Sequence, residues 1–260
     1  MTFQIFEHIE TFFLILIRVS GVFSTAPVLG SESIPGQVRV ASALLISVVI
    51  LPIQLAAHGP AHIPAGVPMF ALIVIKELLI GILFGFTATI AIEGIRLAGE
   101  IANTQLGFSM VQVFDPESLQ EESIIEFFNF LIFLLIFLAV NGHHLFIEAI
   151  AKSLQSVPLG QVVYSKGFFG EIIGKVPEVF ILSLKLSVPV VVPIVFIMIV
   201  LGIISRAVPR IEVFMLSFPV NIMVGFFVIT LYMPEMMKYI KYLIYTGIFD
   251  EIMRVIYLLR

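Results

Sequence analysis

The chain has 260 residues, 60% of them hydrophobic and 12% charged, with a formal net charge of −4 and no cysteine. A mean hydropathy of +1.13 lies far outside soluble globular composition and marks an integral membrane protein. The missing cysteines exclude disulfides, iron–sulfur clusters and thiol catalysis, and the acidic balance argues against a nucleic-acid partner.

The first apolar run, 12 to 29, follows Glu7 and Glu10 and is interrupted by Arg18. It has neither the basic start nor the small-residue cleavage site of a secretory signal, so the N-terminus is expected to be retained. A second run covers 38 to 57 and a third 69 to 92, each close to the roughly 20 residues a spanning helix needs. No proline follows the third run before about residue 105. One helix of roughly 37 residues is therefore predicted, about 55 Å long against a hydrocarbon core of about 30 Å.

On a helical wheel Glu77, Gly81, Gly85, Ala88, Arg96, Gly99 and Asn103 share a sector of about 100°. Gly81 and Gly85 have the spacing that lets membrane helices approach closely. The stripe suits packing inside one bundle or against other subunits. Arg96 has Glu93 three residues before it and Glu100 four after, a local charge cluster.

The stretch from Gly107 to Glu126, GFSMVQVFDPESLQEESIIE, cannot sit in lipid. Its first half is apolar (Phe108, Met110, Val111, Val113, Phe114), and its second half carries Asp115, Glu117, Glu121, Glu122 and Glu126. It reads as a segment surrounded by protein or water. The next apolar run, 127 to 140, is short for a span and ends at Asn141-Gly142, a turn signal. His143, His144 and Glu148 follow, but the His-Glu-x-x-His zinc pattern is absent and no metal site is expected.

The fourth long run, 179 to 204, holds Lys185 and the interior prolines Pro189 and Pro193, so a kinked helix is predicted. Lys76, Glu77 and Lys185 are ionisable groups inside apolar runs, costly there and open to two readings: an ion pathway, or interhelical and intersubunit pairing. Residues 205 to 212, SRAVPRIE, form a polar turn, and 213 to 233 returns as the second arm of a hairpin. The tail, 235 to 260, alternates apolar and charged residues like an amphipathic helix on a partner or membrane surface. Ordinary alternating topology cannot place both Arg206/Arg210 and the basic tail in the cytoplasm, so the last two runs either fail to cross or are positioned by protein. No P-loop, GxGxxG, GxSxG or EF-hand pattern occurs, and neither enzyme activity nor a cofactor is expected.

Three stretches in order, GFSMVQVFDP at 107 to 116, LAVNGHHLFIEAIAKSLQSVPLG at 138 to 160 and GIISRAVPRIEVFMLSFPVNIMVG at 202 to 225, resemble the FliR family of flagellar type III export gates. The resemblance implies an all-α subunit built of hydrophobic helical hairpins. It further implies assembly with FliP and FliQ, alongside FlhB and FlhA, in the flagellar basal body at the bacterial inner membrane. Residues 1 to 178 would be a FliP-like portion and 179 to 260 a FliQ-like hairpin with an amphipathic C-terminal helix. It places Gly107 to about Glu122 in the pore as part of a closed gate through which unfolded polypeptides pass. The equivalent subunit of a virulence injectisome is the nearest alternative; a small-molecule or ion transporter using Lys76, Glu77 and Lys185 is a different class.

Overall fold

Long apolar stretches separated by Pro- and Gly-containing turns dictate helices, and the chain is all-α. A computed structural model describes residues 2–31, 34–61, 66–109, 123–161, 168–208 and 213–258. In chain order the helices are α1 (Thr2–Thr25), α2 (Gly36–His58), α3 (Val67–Leu106), α4 (Ile124–Ala139), α5 (Gly142–Ser156), α6 (Phe168–Ala207) and α7 (Val213–Tyr242). A π-helical stretch (Leu243–Ile248) and α8 (Phe249–Leu258) follow among the described residues. Five described helices are long and apolar enough to cross a membrane, six if α4 and α5 count as one broken span.

Helix α3 runs 40 residues with no proline in its interior, and α6 is as long although Pro177, Pro189 and Pro193 lie within it. Asn141 ends the α4 stretch by taking φ +55°, a left-handed conformation that asparagine tolerates better than most side chains. From there the His144 N–H donates back to the Asn141 carbonyl at 2.9 Å and α5 begins. Ser123 and Glu126 start α4 as a reciprocal capping box: the Glu126 N–H donates to Ser123 Oγ at 3.3 Å and the Ser123 N–H to Glu126 Oε2 at 3.4 Å.

The chain divides into two compact units, each discontinuous in sequence. One comprises Met1–Ile90, Phe137–Gly174 and Leu243–Arg260. Its centre is α1, whose Leu14, Ile15, Val19 and Val22 are fully buried. Helix α2 packs on α1 and α5, and α5 in turn meets α8. The tail's apolar side, Ile252, Val255 and Ile256, is buried within this unit, where its sequence pattern pointed to a partner or membrane surface. Lys152 Nζ lies 4.9 Å from the Phe249 ring centroid, and the Tyr245 hydroxyl donates to the Val140 carbonyl at 3.2 Å.

The other unit comprises Ala91–Ile136 and Lys175–Tyr242. Its core is Ala102, Leu106, Ile125, Val190 and Ile194, with Phe108, Val228 and Ile229 packed against it. Opposite this core the α6–α7 hairpin leaves large apolar side chains exposed, among them Phe196 (67%) and Met223 (73%). Such surface requires lipid or another polypeptide to cover it.

Candidate functional site

Within the first unit the buried charges form one network. Arg18 and Glu77 are both fully buried, with Nη2 2.6 Å from Oε2 and the Arg18 Nε–H donating to the same oxygen at 2.7 Å. Arg18 Nη1 donates to Ser153 Oγ at 3.1 Å and Nη2 to the Val157 carbonyl at 3.5 Å. The second Glu77 oxygen, Oε1, accepts the Gly160 N–H at 2.9 Å. A buried ion pair survives in low dielectric when further hydrogen bonds support it, and Ser153, Val157 and Gly160 supply them here. Both carboxylate oxygens are engaged, so Glu77 ties α1, α3 and the turn after α5 together.

One turn further, the backbones of α1 and α3 meet. A Cβ on Gly21 would lie 2.7 Å from the Leu78 carbonyl and 3.0 Å from Gly81 Cα. On Gly81 it would fall on the Arg18 carbonyl, and on Gly85 on Thr25 Oγ1. Gly21-x-x-x-Thr25 thus faces Gly81-x-x-x-Gly85, small residues on both helices, and the rising pairs 21 with 81 and 25 with 85 make the helices parallel. Hydroxyls stitch the seam: Thr25 Oγ1 donates to the Ile82 carbonyl at 3.1 Å and Thr89 Oγ1 to the Thr25 carbonyl at 2.9 Å.

In the second unit the same small-residue logic holds α3 to α4. A Cβ on Gly99 would stand 2.6 Å from Glu126 Cα. The Asn129 side-chain amide donates to the Ile95 carbonyl at 3.4 Å. Arg96 lies 3.9 Å from Glu126 Oε1 and 4.6 Å from the Phe130 ring centroid, so its charge is shared between a carboxylate and an aromatic face.

At its C-terminal end α3 turns sharply. Gly107 has φ +90°, a backbone region glycine enters without penalty, and a Cβ there would stand 2.7 Å from the Phe218 ring. The Phe108 N–H donates to the Asn103 carbonyl at 3.2 Å, and its ring meets Phe226 edge-on at 6.3 Å. Phe108 is therefore wedged against the α6–α7 hairpin. Beside it is a cavity of about 460 Å³, with Gly107 and Ser109 on one wall and Met198, Leu201 and Phe218 on the other.

The candidate residues are thus distributed over three places. Glu77, Gly81 and Gly85 meet α1; Arg96 meets α4; Gly107 and Phe108 meet α7. Lys76 is half-buried, and Lys185 stands exposed on α6. Met110, Val111, Val113 and Phe114 lie outside the described residues. In the sequence Arg18 stands only as an interruption of an apolar run, unpaired with Glu77. The signal was present, since two costly opposite charges inside apolar runs satisfy each other best. Among the described residues no group of three or more His, Asp or Glu side chains comes together as a metal site.

Comparison with known proteins places this architecture. Residues 9–247 match the family model described as "Bacterial export proteins, family 1". The chain is 30% identical over 229 residues to the flagellar biosynthetic protein FliR of Bacillus subtilis (strain 168), covering 86% of each chain. It is 28% identical over 241 residues to FliR of Escherichia coli (strain K12), covering 92% of this chain and 90% of the relative. To FliR of Aquifex aeolicus (strain VF5) it is 26% identical over 238 residues. With its apolar helices and a match across nearly its whole length, the chain belongs to the FliR family of bacterial export proteins.

Proposed function

We propose that this subunit of the flagellar export apparatus is a passive structural and gating component. In this reading it assembles with FliP- and FliQ-type subunits into the pore through which unfolded flagellar proteins leave. FlhB and FlhA stand alongside, at the inner membrane within the basal body. Residues 1 to 178 serve as the FliP-like portion and 179 to 260 as the FliQ-like hairpin. No catalytic step is assigned to any residue, and the energy for transport comes from elsewhere in the machine.

The observation that carries the gating role is the anchored root of the segment after α3. Gly107 supplies the bend and Phe108 the attachment, two residues before Met110 in the stretch that also holds Val111, Val113 and Phe114. A plug must be fixed at its base and adaptable at its tip. The thioether of Met110 suits that adaptability because it packs without a fixed shape. The buried Arg18–Glu77 tie supports the structural reading over ion transport, since the carboxylate is already satisfied on both oxygens.

Deleting the gene and restoring it on a plasmid tests this role. Without the chain, flagellar filament protein is expected to stay inside the cell and cells to be non-motile, and the restored chain is expected to co-purify with other hydrophobic subunits. Undiminished export without it, or recovery of the restored chain as a single polypeptide, contradicts the proposal.

A further inference from the structure

The cavity beside Gly107 has a wall group that the fold leaves unserved. Asn221 lines it and is only 2% exposed. Its Oδ1 is sealed from solvent and accepts no hydrogen bond, and among the described residues nothing bonds its side-chain amide. A buried amide without a partner is costly, and native structures keep few of them. Thr104, on the rim, donates its hydroxyl proton to the Glu100 carbonyl at 3.0 Å, and Ser217 has a partner of its own. Met198, Leu201 and Phe218 give the cavity an apolar wall. A Cβ on Gly202 would meet nothing within 4 Å, so that side is open.

These features select an occupant. The volume, about 460 Å³, lies within the roughly 300–1,000 Å³ typical of small-molecule sites. Water serves the amide but not the wall, because each ordered water needs about two to four polar partners. The methylenes of an acyl chain serve the wall but leave the amide unbonded. Among the described residues no charged side chain lines the cavity, so nothing there compensates a charged ligand for its lost hydration. What fits is a neutral apolar body with a single hydroxyl or amide group. The oxygen and nitrogen of an asparagine amide exchange by a half-turn, so Asn221 meets such a group as donor or as acceptor.

We propose that this cavity binds a small neutral amphiphile, an alcohol, phenol or amide on an apolar body, with its polar group on Asn221 and its body against Met198, Leu201 and Phe218. Such an occupant also touches Gly107, and so braces the turn at Gly107 and Phe108. The bearing of that brace on the gate rests on the gating reading; the binding site itself does not. A membrane alcohol and a freely diffusing compound share the required chemistry.

The test is photolabelling of the full chain, as purified from its native membrane, with 4-hydroxybenzophenone, read by mass spectrometry of its peptides. The excited ketone attacks methionine side chains readily. Met198 stands on the cavity wall, while Met223, 73% exposed on α7, reports unspecific labelling. Labelling at Met198 is expected to saturate, and to need about tenfold less probe than with benzophenone, which has the same body without the hydroxyl; that factor is about the worth of one neutral hydrogen bond. Asn221→Leu, which puts an apolar group of similar size in place of the amide, is expected to remove the difference. Competition by dioleoylglycerol assigns the natural occupant to the membrane, and competition by 4-phenylphenol alone assigns it to a soluble compound; either supports the site. No labelling of Met198, labelling no stronger than at Met223, equal response to the two probes, no competition by either compound, or a difference that survives Asn221→Leu each overturns it. The two-probe comparison on the native chain needs no variant, and it decides the question if Asn221→Leu is not recovered. None of these outcomes bears on the assembly or gating readings, which have their own tests.

Discussion

Arg18 and Glu77 show how a charge inside an apolar helix becomes a structural element. Each alone is expensive in a low-dielectric interior; together, with Ser153, Val157 and Gly160 filling their remaining positions, they hold three segments. Removing one partner strands the other, so Arg18→Met or Glu77→Leu is expected to destabilise the chain by about 3–5 kcal/mol. The double variant is expected to recover most of that loss, with denaturant unfolding in detergent as the measurement. A double variant no better than the singles refutes the pairing account. At Gly107, the left-handed backbone and the adjacent Phe218 ring predict that Gly107→Ala costs about 1–3 kcal/mol. The same unfolding assay reads it. Glu77 was visible in the sequence as a costly group. Arg18, 59 residues away, was visible too, but the pairing was not, because a single sequence shows which charges need company and gives no distance between them.

Helices were legible where one physical signal dominated. The proline-free interior of α3 predicted a span longer than a bilayer, and the element runs 40 residues. Boundaries were less legible: α6 begins at Phe168, well before the apolar run at 179, and continues through Pro177, because a hydropathy run marks where a helix is apolar and not where its backbone hydrogen bonding starts. The tail's burial on its own unit was also unreadable, because an amphipathic pattern states that one face is covered and does not name the cover. Two element-scale predictions follow from contacts. Ser123→Ala removes half of the capping box that starts α4 and is expected to cost about 1 kcal/mol, read as faster hydrogen exchange at the N-terminal amides of α4. At Gly225, where a Cβ would fall on the buried Leu106 side chain, Gly225→Val is expected to cost about 1–3 kcal/mol by overpacking. Unchanged stability of that variant contradicts the close approach of α7 to the end of α3.

For the whole molecule, the exposed apolar faces of α2, α6 and α7 exceed what a water-soluble monomer tolerates. The family match gives them a setting in which lipid and neighbouring subunits provide cover. The two units differ in what they offer: one is tied internally by a buried ion pair and a glycine seam, and the other roots the segment that begins at Gly107. Composition and hydropathy made the membrane class legible, whereas the closing role proposed for 107 to 122 rests on resemblance and on the anchored Phe108. The most direct test is the ion conductance of the purified assembly in planar bilayers, native against a variant with Met110→Gly and Phe114→Gly that leaves Gly107 and Phe108 in place. The account predicts a closed native complex and an ion current well above it in the variant. A current equal to that of the native complex, with the assembly intact, contradicts it.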